Sequence, residues 1–146
     1  MEFKERFEEL LFENKMNAKD LSNLIEVGKS SLYEYLDQTI PNIENAVKLA
    51  NFFDCTLNFL FCLEENPKSY KFDKTYDINL FYTRYKQLLK ENKLTHHKLC
   101  NDTGVNKSSH RLWKNGSPPK LEALVKIADY LNCSIDYLVG RSNSKF

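Results

Sequence analysis

The sequence predicts an all-α protein made of two tandem copies of a small domain, each with about five short helices. Apolar residues recur every three to four positions, and nowhere do they alternate long enough to form a strand. When the chain is aligned with itself, residues 10–60 match residues 88–138 without a gap, and about 18 of the 51 pairs are identical. Two copies are too few for a solenoid, so this offset of 78 residues indicates a duplicated domain.

The helices of the second copy are each bounded by capping or turn residues. A helix that begins near Phe81 shows the three- and four-residue spacing of one buried face. Ser, Thr and Asn precede the next segments as N-caps, and glycine or proline follows them. The predicted segments are residues 81–93, a second helix capped by Thr95 and ended by Gly104, residues 107–114 capped by Asn106, residues 121–131, and a short fifth helix that Ser134 caps and that ends near Val139.

The first copy follows the same plan, with expected caps at Asn17, Asn42 and Thr56 and a fifth helix over residues 57–63. Between the copies lies a polar segment that contains Pro67. The predicted domains are therefore residues 1–66 and 78–146, joined by a linker at 67–77. Tyr70 within this linker suggests that part of it packs on a domain.

Composition restricts the class of protein. With 28% charged and 42% hydrophobic residues, the chain is expected to fold rather than to be disordered. The longest apolar stretch, residues 55–63, is far shorter than the roughly 18 residues that a membrane helix needs. An acidic N-terminus argues against a signal peptide, so a cytoplasmic protein without membrane association is expected. The four cysteines never occur as C-x-x-C, and neither a metal site nor a cofactor is predicted.

The net charge of +1 conceals two halves of opposite sign. Residues 1–66 carry 6 basic and 13 acidic side chains, a net charge of −7. Residues 67–146 carry 15 basic and 7 acidic side chains, a net charge of +8. The two halves are thus expected to have different partners, with a polyanion as the first candidate for the basic half.

The second copy carries a pattern that extends through all five predicted helices. Its residues are Leu99-Cys100, Gly104-Val105, Lys107-Ser108-Ser109, Trp113-Lys114-Asn115-Gly116, Pro119, Leu124, Ile127-Ala128, Leu131, Cys133 through Leu138, and Gly140. This pattern resembles the phage-repressor or Cro-like (XRE) helix-turn-helix DNA-binding domain. The resemblance implies a lambda-repressor-like fold in both copies, in which Cys100 allows two helices to cross closely and Gly104 accepts the positive φ of the turn.

The resemblance also implies that the third helix of the second copy lies in the major groove of double-stranded DNA. Lys107 and Arg111 can donate to guanine or phosphate, and Leu112 can contact a thymine methyl group. Charged residues alone would favour a solvated helix face, but this motif within a basic half favours DNA binding. The predicted DNA-binding residues are Thr95, His96, Asn106, Lys107, Ser108, Ser109, Arg111, Leu112, Lys114 and Asn115.

The histidines lack the spacing of metal ligands. His96 and His97 begin the second helix, where phosphate contact is the role considered for them. His110 stands where the family is usually apolar and where the first copy has Leu32, so it is interpreted as a satisfied core residue.

The first copy departs from the pattern. Glu26 replaces the turn glycine, where a left-handed backbone would cost roughly 1 kcal/mol. Its third helix, residues 29–37, has one basic and two acidic side chains, so DNA binding is expected to be lost or weakened. Phe12, Phe61 and Leu63 replace Lys90, Val139 and Arg141 and are the predicted interface residues, for a homodimer or another protein. The alternative is that Phe61 and Leu63 cover the core of their own domain.

The leading hypothesis is a sequence-specific transcriptional regulator, a repressor that binds an operator with its basic copy. The alternative is a protein-interaction module, such as an antirepressor or adaptor, that uses the duplicated fold without binding DNA. An enzyme is not expected, since the sequence has neither a phosphate-binding glycine loop nor a recognisable nucleophile setting.

Overall fold

A computed structural model describes all 146 residues, and it confirms the prediction of an all-α chain. The chain divides into two compact units, Met1–Ser69 and Tyr70–Phe146. The helices of the first unit are α1 (Phe3–Glu13), α2 (Ala18–Ser22), α3 (Lys29–Tyr35), α4 (Ile43–Phe52) and α5 (Leu57–Leu60). In the second unit a 3-10 turn at Ile78–Leu80 precedes α6 (Phe81–Glu91), α7 (His96–Thr103), α8 (Ser109–Lys114), α9 (Leu121–Leu131) and α10 (Ile135–Leu138). None of these helices has the length and apolar character needed to cross a membrane.

Residues 67–77 are divided between the two units. The Pro67 carbonyl accepts a hydrogen bond from the Thr56 amide at 2.9 Å, within the first unit. Tyr70 is buried and donates its hydroxyl to Asp136, while the Asp77 amide donates to the Val139 carbonyl at 2.9 Å. Residues 70–77 therefore run along the second unit instead of forming a free linker.

Most predicted helix caps are confirmed. Each capping side chain accepts a hydrogen bond from the backbone amide three residues ahead, which satisfies a donor that the helix leaves unpaired. These residues are Asn17, Asn42, Thr56, Thr95 and Ser134. Asn106 differs, because its Oδ1 accepts from the amide of Ser108 at 2.9 Å in a local turn. The predicted start of the third helix at residue 107 is thus wrong, and α8 begins at Ser109.

Residues with a left-handed backbone conformation occur in pairs that are 78 positions apart, the same offset as in the sequence repeat. Such φ angles are rare outside glycine, so a shared set is informative. Four pairs adopt them: Lys15 and Lys93, Gln38 and Gly116, Asp54 and Asn132, and Cys62 and Gly140. The remaining left-handed residue is Gly104, with φ of 82°, in the turn between α7 and α8.

The turn of the first unit avoids the cost expected at Glu26. Glu26 is not left-handed, so that expectation is wrong. The helix α2 ends at Ser22, three residues before the position equivalent to the end of α7, and the amides of Leu24 and Ile25 both donate to the Leu21 carbonyl. By ending early, the chain leaves the helix without a residue in the left-handed region.

An arginine joins the first helix to the last helix in each unit. Arg6 Nε donates to the Phe59 carbonyl at 3.0 Å, and its guanidinium carbon lies 3.9 Å from the Phe59 ring centroid. Arg84, 78 residues later, donates to the Tyr137 carbonyl and lies 4.3 Å from the Tyr137 ring. Both contacts combine a charge-assisted hydrogen bond with a cation–π interaction.

The interface predicted in the first unit is only partly exposed. Phe61 is 8% exposed, because its ring stacks on Phe3 with centroids 5.0 Å apart. Phe61 therefore belongs to the core, and its prediction as an interface residue is wrong. Leu63 is half-buried, whereas Phe12 is 85% exposed on α1.

A buried ion pair lies at the end of the second unit. Asp136 and Arg141 have no exposed side-chain area, and Arg141 Nη1 lies 2.6 Å from Asp136 Oδ1. The Arg141 guanidinium also lies 4.3 Å from the ring of Phe72. The first unit has Asn58 and Leu63 at the equivalent positions, so the pair is particular to the second unit.

We expect Arg141→Leu to lower the free energy of unfolding of the second unit by about 3–5 kcal/mol, because the buried Asp136 carboxylate would lose the cation that it is paired with. Adding Asp136→Asn restores the pair of residue types found in the first unit and should recover part of the loss. Denaturant unfolding followed by the fluorescence of Trp113, the only tryptophan, reports on this unit. A double variant that is no more stable than the single one would contradict the interpretation.

Gly104→Ala should destabilise the second unit by about 1 kcal/mol, the cost of an L-residue in the left-handed region. A Cβ at residue 104 would lie 3.9 Å from its nearest neighbour, Lys126 Nζ, so a steric clash is not the cause. Gly104→Asn is the matched control and should cost less, since asparagine tolerates this conformation better. The same fluorescence measurement applies, and an Asn variant less stable than the Ala variant would exclude a backbone origin.

Candidate nucleic-acid interface

The six-residue helix α8 is held on the second unit by one buried side chain, Trp113. The indole packs edge-on against Phe81 and Tyr85 of α6, with ring centroids 5.1 and 5.3 Å away. Edge-to-face pairs of this kind stabilise beyond the area that they bury. The direction in which α8 presents its other side chains is therefore set by α6.

The opposite side of α8 is exposed and basic. Lys107, Arg111 and Lys114 are exposed, and their side chains form no ion pair or hydrogen bond within the chain. Leu112 is 54% exposed beside them, and Asn115 is exposed at the end of the helix. Two unpaired cations on this short helix and a third in the turn before it, with an apolar side chain and an amide among them, can contact both phosphates and base edges.

A shallow cleft of about 330 Å³ separates α8 from the start of α9. Leu112, Asn106, Ser108 and Ser109 line one side of it. On the other side are Lys120, Glu122 and Lys126. Two lysines thus lie across this cleft from residues predicted to bind DNA.

Lys126 could have been found from the repeat. The equivalent Lys48 is identical in sequence, and its Nζ donates to the Glu26 carbonyl at 3.0 Å in the first unit. Lys126 Nζ lies beside Gly104, the position equivalent to Glu26. The identical lysine therefore lies over the turn between the second and third helices in each unit.

Thr95 and His96 have roles within the domain. Thr95 Oγ1 accepts from the Lys98 amide at 3.1 Å as an N-cap. The His96 ring uses both nitrogens, because Nδ1 lies 2.7 Å from the Tyr85 hydroxyl and Nε2 lies 3.1 Å from the Lys107 carbonyl. The prediction that His96 contacts DNA is therefore corrected, because its ring has no nitrogen left for a phosphate.

Burial dominates the electrostatics of His96. Loss of solvent is the largest effect, and it lowers the pKa of the imidazole. The hydrogen bond to the Lys107 carbonyl raises this pKa, whereas the nearby His110 and His97 lower it further. His110 is half-buried and its Nε2 lies 3.1 Å from the Tyr82 hydroxyl, in agreement with its interpretation as a satisfied residue.

The equivalent surface of the first unit has a different charge. Lys29, Tyr33, Glu34 and Asp37 are exposed on and after α3, so two carboxylates accompany one lysine. The Lys29 Nζ lies 5.9 Å from the Tyr33 ring centroid. If this surface approached DNA, its carboxylates would lie against the phosphates and would be repelled by them.

The structure contains no group of three or more His, Cys, Asp or Glu side chains arranged to hold a metal ion. All four cysteines are free thiols, and Cys55, Cys100 and Cys133 are buried.

Comparison with known proteins identifies the second unit. Residues 84–142 match the Cro/C1-type HTH DNA-binding domain, a segment that contains α7 to α10 and most of α6. Neither the curated proteins nor the solved structures gave a match to this chain. Domains of the matched family bind DNA and are typically non-enzymatic. Residues 84–142 are therefore a Cro/C1-type HTH domain, which indicates a DNA-binding transcription regulator.

Proposed function

We propose that this protein is a sequence-specific transcriptional repressor that reads the major groove with α8. The observation that carries the proposal is the set of unpaired cations on the exposed side of α8 and of the turn before it, namely Lys107, Arg111 and Lys114. Within the helix-turn-helix geometry this helix enters the groove, and its N-terminal residues meet base edges. A repressor acts by occupying its operator, so tight binding by this surface is sufficient for the role.

The side chains of the surface divide by chemistry. Lys107 and Arg111 donate to guanine or phosphate, and the hydroxyls of Ser108 and Ser109 reach bases or backbone. Leu112 offers an apolar contact to a thymine methyl group. Lys120 and Lys126, across the cleft, are suited to phosphates because they add charge without a defined planar geometry.

The two units are proposed to be tandem copies of one domain, residues 1–66 and 78–146. Three features support this: the four left-handed pairs, the arginines Arg6 and Arg84, and the anchors of the third helices. In the first unit the anchor is Tyr35, whose ring centroid lies 6.1 Å from Phe3 and 6.3 Å from Phe7. Its acidic surface supports loss of DNA binding in the first copy.

The first unit is proposed to join two copies of the chain. Phe12 is 85% exposed beside Met16, and the second unit has Lys90 at the equivalent position. A domain of this size makes few contacts alone, and two-fold pairing places two recognition helices about one turn of DNA apart. An apolar side chain at this site in the first unit alone fits a self-complementary contact.

Lys107→Ala and Arg111→Ala should each weaken binding of the full chain to a duplex that it selects from randomised DNA. The expected loss is about 1–3 kcal/mol for a base contact, or a salt slope shallower by about one unit for a phosphate contact. Fluorescence anisotropy across a salt series measures both quantities.

The repeat supplies a matched control for this experiment. Lys29 is the residue equivalent to Lys107, and Lys29→Ala should leave binding unchanged because it lies in the acidic unit. Lys145→Ala should also have little effect, because Lys145 is paired with Glu91 away from α8. Equal losses for Lys29→Ala and Lys107→Ala would remove the distinction between the units. Absence of any selected duplex would favour the adaptor function.

Phe12→Lys should convert the chain into a monomer, because the substituted side chain copies Lys90 and cannot enter an apolar contact. Leu24→Lys, which changes another exposed side chain of the first unit, is the control and should leave association intact. Sedimentation at tens of micromolar, with and without DNA, measures the assembly. A monomeric wild-type chain under both conditions would overturn the proposal and make the first unit a site for a different protein.

A further inference from the structure

His96 lies where three helices of the second unit meet. It is the first residue of α7, and its ring contacts Tyr85 of α6. The ring also contacts Lys107, the first residue of the recognition segment, which consists of residues 107–114. The ring centroid lies 5.7 Å from that of Trp113, the anchor of α8, and 5.0 Å from that of His110. The His96 imidazole thus links α6 to the residues that would enter the major groove.

Two of the three polar contacts of the ring define its proton, and the third, Cys100 Sγ at 3.3 Å from Nε2, is compatible with a hydrogen on that nitrogen. A backbone carbonyl can only accept, so Nε2 carries the hydrogen that faces the Lys107 carbonyl. Nδ1 then accepts from the Tyr85 hydroxyl, which has no other hydrogen-bond partner within the chain. The neutral Nε2–H tautomer satisfies both neighbours, because the bond at each nitrogen fixes which of them carries the hydrogen.

Protonation would disturb the Tyr85 side of this arrangement, while Nε2–H would keep its bond to the Lys107 carbonyl. A hydrogen on Nδ1 would face the Tyr85 hydroxyl, whose own hydrogen would lose its acceptor inside the unit. Tyr85 has no exposed area, so its hydroxyl has no access to solvent as a replacement. The added charge would also lie at the N-terminus of α7, where the helix dipole disfavours a cation.

We propose that His96 is a positioning residue for DNA recognition, whose neutral ring ties the Lys107 backbone to Tyr85 and whose protonation breaks the Tyr85 end of that tie and weakens specific binding. The inference rests on the proposed function of α8 in reading DNA. It assigns a pH response to the site and goes beyond the residues that contact DNA.

The groups around the ring support this direction. Those with titratable or charged side chains are Tyr82 and Tyr85 on α6, His97 and Cys100 on α7, and Lys107 and His110 on the recognition segment. No carboxylate is among them to stabilise an imidazolium. Because burial lowers the pKa of His96 below its ordinary value of 6.5, the ring is neutral at pH 7.5 and becomes charged only below pH 6.5.

The folding stability of the second unit should also decrease when His96 is protonated. The unfolded chain binds the proton at the ordinary pKa, and the folded ring binds it at a lower pH. The contribution of His96 to stability is therefore complete above pH 6.5 and is lost as the pH falls toward the folded value.

Positive charge elsewhere on the unit strengthens attraction to any DNA and must be separated from this effect. The exposed His97, next to His96 in the sequence, is therefore changed in a control variant. The quantity that isolates His96 is therefore the ratio of affinities for a selected duplex and a scrambled duplex of equal length. Electrostatic attraction to phosphates cancels in that ratio.

The experiment uses the full chain as wild type, His96→Gln, His96→Ala and the control His97→Gln. Glutamine keeps an amide donor for the Lys107 carbonyl but does not titrate, and alanine copies Ala18 of the first unit. From pH 7.5 to 5.5 we expect the affinity ratio of the wild type and of His97→Gln to fall about two- to tenfold, the equivalent of one hydrogen bond. The ratio for His96→Gln should stay near its wild-type value at both pH values. The ratio for His96→Ala should be low at both.

An NMR titration of the DNA-free wild type tests the tie itself. The imidazole nitrogens of His96 and the carbonyl carbon of Lys107 should shift with one common midpoint below 6.5. A Lys107 carbonyl that ignores the titration of His96, or a His96→Gln variant that keeps the wild-type pH response, would overturn the inference. If no duplex is selected, the proposed function fails, while the NMR titration still decides whether His96 holds Lys107.

Discussion

The burial of Trp113 is the contact on which the second unit depends for its candidate function. A helix of six residues is too short to be stable alone, since isolated helices shorter than about 12 residues are marginal in water. The stability of α8 must therefore come from packing, and its one buried side chain supplies it against Phe81 and Tyr85. Because Trp113 supplies most of the packing, with His110 bonded to Tyr82 beside it, the other side chains of α8 remain at the surface and can carry charge there.

The same anchoring plan occurs in the first unit with different surface chemistry. Tyr35 takes the place of Trp113, and Arg6 takes the place of Arg84, so the packing of the outer helices is retained. The difference begins at the turn, where α2 ends early and no left-handed residue follows it. A helix pair with a shorter second helix and an acidic third helix keeps the fold but presents carboxylates where the other unit presents lysine and arginine. The shared packing of the outer helices thus leaves the surface of each unit free to differ in charge.

Polar groups buried in the second unit connect segments that are distant in sequence. Tyr70 and Arg141 both reach Asp136, which brings the start and end of the unit to the same carboxylate. His96 has the corresponding role at the other side, between Tyr85 and Lys107. Such groups are satisfied only in one arrangement, so they define the geometry more narrowly than apolar packing does. Both networks are absent from the first unit, which has Asn58, Leu63 and Ala18 at the equivalent positions.

The all-α class, five of the helix caps and the left-handed Gly104 could be predicted from local residues, because capping and turn preferences act within a few positions of the chain. The resemblance in residues 99–140 likewise identified the segment that matches a DNA-binding family. Other features could not be predicted, because they depend on contacts between segments far apart in sequence. Phe61 is a core residue only because α5 brings it onto Phe3, and the Glu26 turn escapes strain only because α2 ends early. His96 turns from a candidate phosphate ligand into a link between helices because folding places a hydroxyl and a carbonyl against its two nitrogens. A linear sequence shows which side chains can form hydrogen bonds, but the tertiary structure decides which partners they find.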